Sequence, residues 1–288
     1  MFEILIAIGI LGGLGLIFGL VLAGASKVFY VETDPRLEQL NACLPCANCG
    51  GCGYAGCAGY AEAVLNGEAP IGKCASGGNE CAQDMSAIMG VKAVEVTRKV
   101  ALVRCSGEKR YDKSGNLVAG AKLKAEYEGF QDCVAASRIG GNGPLSCKFG
   151  CLGFGTCVKS CKYDAISVVN GVAVVNEDRC VGCMACASVC PRNLIIPVEP
   201  GRNVVIACAS LAKGAVTTRG CTVGCVGCGL CKKICPKDAI TIEKNLAIID
   251  YSKCDNCGLC ATVCPKKLIK DSNVENLPDR GVVQARNN

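Results

Sequence analysis

Cys180, Cys183, Cys186 and Cys190 follow one another with two, two and three residues between them, and Pro191 comes next. The same run recurs as Cys225, Cys228, Cys231 and Cys235 before Pro236, and as Cys254, Cys257, Cys260 and Cys264 before Pro265. Thiolates at this spacing wrap a [4Fe–4S] cluster, with the fourth cysteine of each run reaching across to a second cluster. A fourth run is irregular: Cys147, Cys151, Cys157 and Cys161, with Lys162 where proline is expected. Upstream, Cys49, Cys52, Cys57 and Cys74 supply four more thiolates, enough for one further cluster, with a four-cysteine zinc site as the competing reading. The glycines between them spell Gly51-x-Gly53-x-x-Gly56, but no strand precedes them and cysteines fill the gaps, so a dinucleotide loop is rejected. Glycine beside cysteine instead admits unusual dihedrals and turns backbone N–H groups towards sulfur.

An internal repeat organises the second half. A shift of 74 residues maps Cys147, Cys151, Cys157, Cys161, Cys180, Cys183, Cys186 and Cys190 onto Cys221, Cys225, Cys231, Cys235, Cys254, Cys257, Cys260 and Cys264. The chain therefore reads as two tandem bacterial-type ferredoxin modules of α+β class, each with two clusters. Asn170-Gly171 between two β-branched runs predicts a hairpin over Ile166–Val175, matched by Ile240–Ile249 in the second copy. Cross-ligation assigns Cys147, Cys151, Cys157 and Cys190 to one cluster of the first module, and Cys161, Cys180, Cys183 and Cys186 to the other. In the second module the sets are Cys225, Cys228, Cys231 and Cys264, then Cys235, Cys254, Cys257 and Cys260. One choice stays open: the repeat aligns Cys221 with Cys147, whereas Cys228 completes the regular run but aligns with Phe154. Five clusters and their ligands leave Cys43, Cys46, Cys81, Cys105, Cys133, Cys208 and Cys221. Each reads by default as a small buried apolar residue, the alternative being a sixth cluster that draws on several of them.

Composition agrees with a cofactor-held chain. The 288 residues include 27 cysteines and no histidine or tryptophan, which excludes His-ligated zinc, Rieske centres and His-based acid–base catalysis. No motif for an independent catalytic site or nucleotide loop is present. The net charge of +6 does not suggest nucleic-acid binding, but Lys92, Arg98, Lys99, Arg104, Lys109, Arg110, Lys113, Lys122 and Lys124 face only four acids between Val91 and Tyr127. That excess is either a solvated surface or a landing site for an acidic protein. Residues 4–25 carry no charge and no proline, which predicts a transmembrane anchor over residues 1–26, and Lys27 and Arg36 predict a cytoplasmic C-terminal side. The expected division is then 27–95 for an N-terminal cluster domain, 96–140 for a connecting basic segment, 141–200 and 221–271 for the modules, 201–220 for a linker and 272–288 for a tail.

Asn48-Cys49-Gly-Gly-Cys52-Gly-Tyr-Ala-Gly-Cys57 with Cys74, followed by tandem ferredoxin modules, resembles the B subunits of the Rnf complexes in their anaerobic, tandem-module form. The resemblance covers essentially the whole chain. It implies an electron-transfer component of a membrane-bound, ion-translocating ferredoxin:NAD+ oxidoreductase, with about five [4Fe–4S] clusters. It also implies soluble ferredoxin as donor and the other Rnf subunits as partners. Lys162 and Cys46 depart from the family pattern, and neither removes an expected ligand. The alternatives are an electron-transfer component of a membrane hydrogenase or dehydrogenase, and a membrane-anchored zinc or structural scaffold.

Overall fold

The 74-residue repeat holds in the backbone as well as in the cysteines. The computed structural model describes residues 2–28, 34–111, 114, 117–202 and 204–270. In the first copy, α6 (Thr156–Lys159), β4 (Ile166–Val169), β5 (Val172–Val175), α7 (Ala185–Ser188) and β6 (Ile195–Val198) succeed one another. The second copy repeats them as α9 (Leu230–Ile234), β8 (Ile240–Glu243), β9 (Leu246–Ile249), α10 (Leu259–Thr262) and β10 (Ile269–Lys270). The hairpins form as expected. Asn170 and Gly171 turn the first with φ of 49° and 78°, and Lys244 and Asn245 turn the second with φ of 46° and 66°, although no glycine is present there. Two positive φ values make the tight turn whose twist matches the strands on either side.

Each module also takes in a strand from the chain ahead of it. β1 (Val100–Val103) pairs antiparallel with β6, placing Val103 opposite Ile195. β7 (Val205–Ile206) pairs in the same way with β10, placing Ile206 opposite Ile269. The described part of the segment 96–140 is therefore joined to the first module through β1. Its further elements are the small hairpin of β2 (Arg110–Tyr111) with β3 (Leu117–Ala119), and α5 (Cys133–Ser137). Between the modules lies α8 (Gly214–Gly220). The two module cores are built from short aliphatics and from cysteines that are themselves buried, among them Cys157, Cys180 and Cys186 in the first and Cys225, Cys231 and Cys260 in the second.

The N-terminal cluster domain packs α2 (Pro35–Ala42), α3 (Cys57–Leu65) and α4 (Gly78–Ile88) around Leu40, Tyr60 and Met85. Tyr60 is buried with its hydroxyl satisfied, donating to the Pro70 carbonyl at 3.0 Å and accepting from the Lys73 N–H at 3.1 Å.

One expectation is corrected. Residues Phe2–Val28 do form a helix, α1, but among the described residues no helix is long and apolar enough to cross a membrane. The transmembrane anchor is therefore not part of the fold class, which rests on the α+β cluster domains.

Candidate metal centres

The backbone bends that gather the cysteines lie between them. Gly155, Met184, Gly229 and Gly258 adopt the left-handed conformation just ahead of α6, α7, α9 and α10, and each of these helices carries one cysteine of its run inward. Met184 takes at φ 59° the conformation that its repeat counterpart Gly258 takes at 76°. In the N-terminal domain the Asn48 side-chain oxygen accepts from the Cys57 N–H at 2.8 Å, closing the cysteine loop on the start of α3.

Four groups of cysteines stand close together in the structure. Cys49, Cys52, Cys57 and Cys74 line one cavity of about 20 Å³. Cys225, Cys228, Cys231 and Cys264 line a second of about 20 Å³, which places Cys228, not Cys221, with this set. Cys235, Cys254, Cys257 and Cys260 line a third. Cys161, Cys180, Cys183 and Cys186 are electrostatic neighbours of one another, and Cys180 Sγ accepts from the Ala101 N–H at 3.3 Å. The remaining set differs. Cys151, Cys157 and Cys190 line a cavity with Cys133, while Cys147 lines another with Cys105, Cys208 and Cys221.

Cys133 reaches its position through α5. The Asp132 carboxylate caps this helix, accepting from the Val134 and Ala135 N–H groups at 2.8 and 2.9 Å and from the Thr156 hydroxyl at 2.7 Å. Thr156 accepts in turn from the Cys133 N–H at 2.7 Å, tying α5 to α6 and to Cys157. Asp132→Ala is expected to lower the melting temperature through loss of the cap, where Asp132→Asn keeps most of it; thermal unfolding of the two variants checks this. Equal stability of Asp132→Ala and the parent would mean the cap does not hold α5.

These donor sets suit iron–sulfur clusters. Burial pushes the Cys151, Cys157, Cys186 and Cys260 thiols up to about 12, so forming thiolates there needs the charge of bound iron. Cys74 is the contrast. Donation from the Cys81 thiol, and from the Gly77 N–H at 3.3 Å, holds it below the usual thiol range. Tetrahedral zinc brings sulfurs to about 3.8 Å from one another, given bonds of ~2.3 Å. Among the described residues no three Cys, Asp or Glu are grouped to hold a single metal ion, and the cysteines instead stand around cavities.

Comparison with known proteins decides the family. The chain is 42% identical over 88% of its length to the B subunit of the Na+-translocating ferredoxin:NAD+ oxidoreductase complex of Acetobacterium woodii, covering 73% of that protein. It is 42% identical over 84% of its length to the proton-translocating counterpart of Clostridium ljungdahlii, covering 82% of it. The chain belongs to the family of Rnf complex B subunits. A 37% identical relative in Methanosarcina acetivorans, the B subunit of an ion-translocating oxidoreductase complex, is matched over 90% of its own length. Domain families agree: an Fe-S cluster family matches residues 44–76, the 4Fe-4S binding domain 173–196 and the 4Fe-4S dicluster domain 224–268. As a member of the Rnf B family, the chain is an iron–sulfur electron-transfer component of an oxidoreductase complex and carries multiple 4Fe-4S clusters.

Sequence reasoning left Cys133, Cys105 and Cys208 as buried apolar residues by default, with a shared sixth cluster as the alternative, and did not say which cysteines each would join. Two signals were available. Cys105 and Cys208 each stand two residues beyond the last paired residue of an incoming strand, Val103 and Ile206, but this correspondence runs at a shift of 103 residues and a search at 74 passes over it. Cys133 answers a gap: Phe154 occupies the repeat position of Cys228, so the first module lacks a thiolate there.

Proposed function

We propose that this protein receives electrons from soluble reduced ferredoxin and relays them in single file through its cysteine sets to the rest of the Rnf complex. The observation that carries this reading is the contact between successive sets. Cys183, a neighbour of Cys161, Cys180 and Cys186, lies in the wall of the cavity formed by Cys49, Cys52, Cys57 and Cys74. Cys186 is a near neighbour of Cys157 across the first module, and Cys260 of Cys231 across the second. Bound [4Fe–4S] clusters supply reversible one-electron chemistry. The protein supplies thiolates, N–H donors and exclusion of water, which set the potential of each centre. We assign the ligands set by set as the cavities group them.

The relatives' names specify ferredoxin, NAD+ and an ion, so this chain is proposed to act in a membrane-associated complex of the same kind, its cluster domains on the cytoplasmic side where thiols stay reduced. Lys109 and Arg110 sit on the flank of the first module, with Arg110 exposed; Lys113 lies outside the described residues. Other basic residues of that segment have structural work, since Arg98 donates to the Glu177 carbonyl at 2.7 Å and Lys124 to the Gly141 carbonyl at 2.7 Å.

The test is ferredoxin-dependent NAD+ reduction by the complex isolated through this chain. Charge reversal at Lys109 and Arg110 is expected to slow electron entry from ferredoxin and flatten its salt dependence, leaving reduction by a small neutral reductant unchanged. Equal slowing with both donors would point to structural damage, and no slowing with either would place docking elsewhere. No ferredoxin-dependent reduction by the intact complex would sink the relay.

A further inference from the structure

Four cysteines outside the expected ligand grouping meet where the two modules join. Cys105, Cys147, Cys208 and Cys221 line a cavity of about 20 Å³, the size of those around Cys49 and around Cys225. All four lie outside the residues matched by the cluster-domain families.

The site has the pseudo-twofold symmetry of the repeat. Cys147 and Cys221 are repeat partners, and each lies four residues ahead of the first regular cysteine of its module, Cys151 or Cys225. Cys105 follows β1 and Cys208 follows β7, and both strands are locked by equivalent bonds, Arg104 N–H to the Leu194 carbonyl and Ala207 N–H to the Leu268 carbonyl. The environment of the sulfurs repeats too. Cys105 Sγ accepts from the Gly107 and Cys151 N–H groups, both at 3.4 Å. Cys208 Sγ accepts from the Ser210 and Cys225 N–H groups, at 3.5 and 3.4 Å. The Val223 N–H bonds Cys221. A thiol buried only as an apolar side chain has no use for two donors aimed at it; a metal-bound thiolate does. A second observation is independent of the cysteines. Arg104 also lines this cavity, and its buried Nε has no hydrogen-bond partner. Four thiolates around a [4Fe–4S] core leave a net negative charge, which a guanidinium at the wall offsets.

We propose that Cys105, Cys147, Cys208 and Cys221 hold a sixth [4Fe–4S] cluster joining the two modules, and that Cys133 replaces Cys147 beside Cys151, Cys157 and Cys190. The joint then lies on the electron path. Cys151, a ligand of the neighbouring centre on one side, donates its N–H to Cys105, and Cys225, a ligand on the other, donates its N–H to Cys208. One electron enters from a reduced centre of one module and leaves to an oxidised centre of the other, with no proton or atom transferred. The proposal deepens the relay reading and rests on it for the direction of flow, but its ligand content is tested without activity.

The experiment is iron and sulfide analysis with EPR on the full-length chain purified anaerobically. About 24 iron atoms per chain are expected, six clusters of four, where five clusters give about 20. Cys208→Ala should lose about four irons and one reduced-cluster signal, with the others retained. Cys133→Ala should lose about four different irons, and the double variant about eight. A parent protein with about 20 irons would overturn the sixth site, as would unchanged iron in Cys208→Ala; unchanged iron in Cys133→Ala would overturn the exchange of ligands. If a variant does not accumulate, the parent iron count, checked by Mössbauer spectroscopy, decides the sixth site. Failure of the relay reading looks different: a full complement of iron with no electron entry from ferredoxin.

Discussion

Replacing Cys264 by alanine is expected to empty the centre at Cys225, Cys228 and Cys231 and leave the one at Cys254, Cys257 and Cys260 filled. Cys264 is only four residues from Cys260 along the chain, yet it lines the cavity of the more distant set. Cys235 does the reverse, lining the cavity of Cys254, Cys257 and Cys260. The exchange follows from the fold, because α9 and α10 each deliver one cysteine to a cavity and the chain leaving each helix crosses to the other. Loss of about four irons and of one EPR signal is the expected readout, with electron flow through the second module abolished. Spectra in which the set at Cys254 disappears and the set at Cys225 survives would mean that the module does not cross-ligate.

The second large effect is expected at Lys162. Its ammonium donates to the Ala47 and Asn48 carbonyls, both at 3.0 Å, which fastens the N-terminal cysteine loop onto the first module. Gly51 completes the joint, since a Cβ added there would run into the Cys183 carbonyl. Lys162→Met removes two charge-assisted bonds at an exposed joint, worth about 1–2 kcal/mol in all, or about tenfold in the ratio of docked to undocked domain. Gly51→Val forces the two backbones apart. Both variants should keep their full iron content but slow electron transfer between the centre at Cys49 and the centre at Cys183, with Gly51→Val the more severe. Stopped-flow reduction followed at both centres measures this. Unchanged transfer in Gly51→Val would show that electrons do not cross at this contact.

Lys162 shows what the sequence could and could not say. Its place in the run marked it as a departure from proline, but a departure carries no address, and its partners are more than a hundred residues away. The modules themselves were legible because their ligands are local: CxxCxxC is a turn and the start of a helix, and the Asn170-Gly171 hairpin lies within one ten-residue stretch. The strands β1 and β7 were not legible as module strands, because Val100–Val103 and Val205–Ile206 are short and their partners are remote. The positions of Cys133, Cys105 and Cys208 were not legible for the same reason. Each is carried to its position by an element that precedes the module it serves. The expectation at α1 rested on a count of uncharged residues, and among the described residues no helix is long and apolar enough to cross a membrane.

Strands supplied from ahead also impose an order of assembly. Hairpins β4–β5 and β8–β9 close over two-residue turns and need little of the chain. β1 must wait for β6, so Val100–Val103 leaves the ribosome roughly ninety residues before its partner exists, and closing so long a loop is slow as well as entropically costly. β7 waits in the same way for β10, near the end of the described chain. During synthesis the regular cysteine runs can therefore take up local shape early, whereas Cys105 and Cys208, tethered to the late-pairing strands, are fixed in place last. The corner between the modules is the final part of the molecule to mature, and the part most exposed to oxidation if iron delivery lags behind translation.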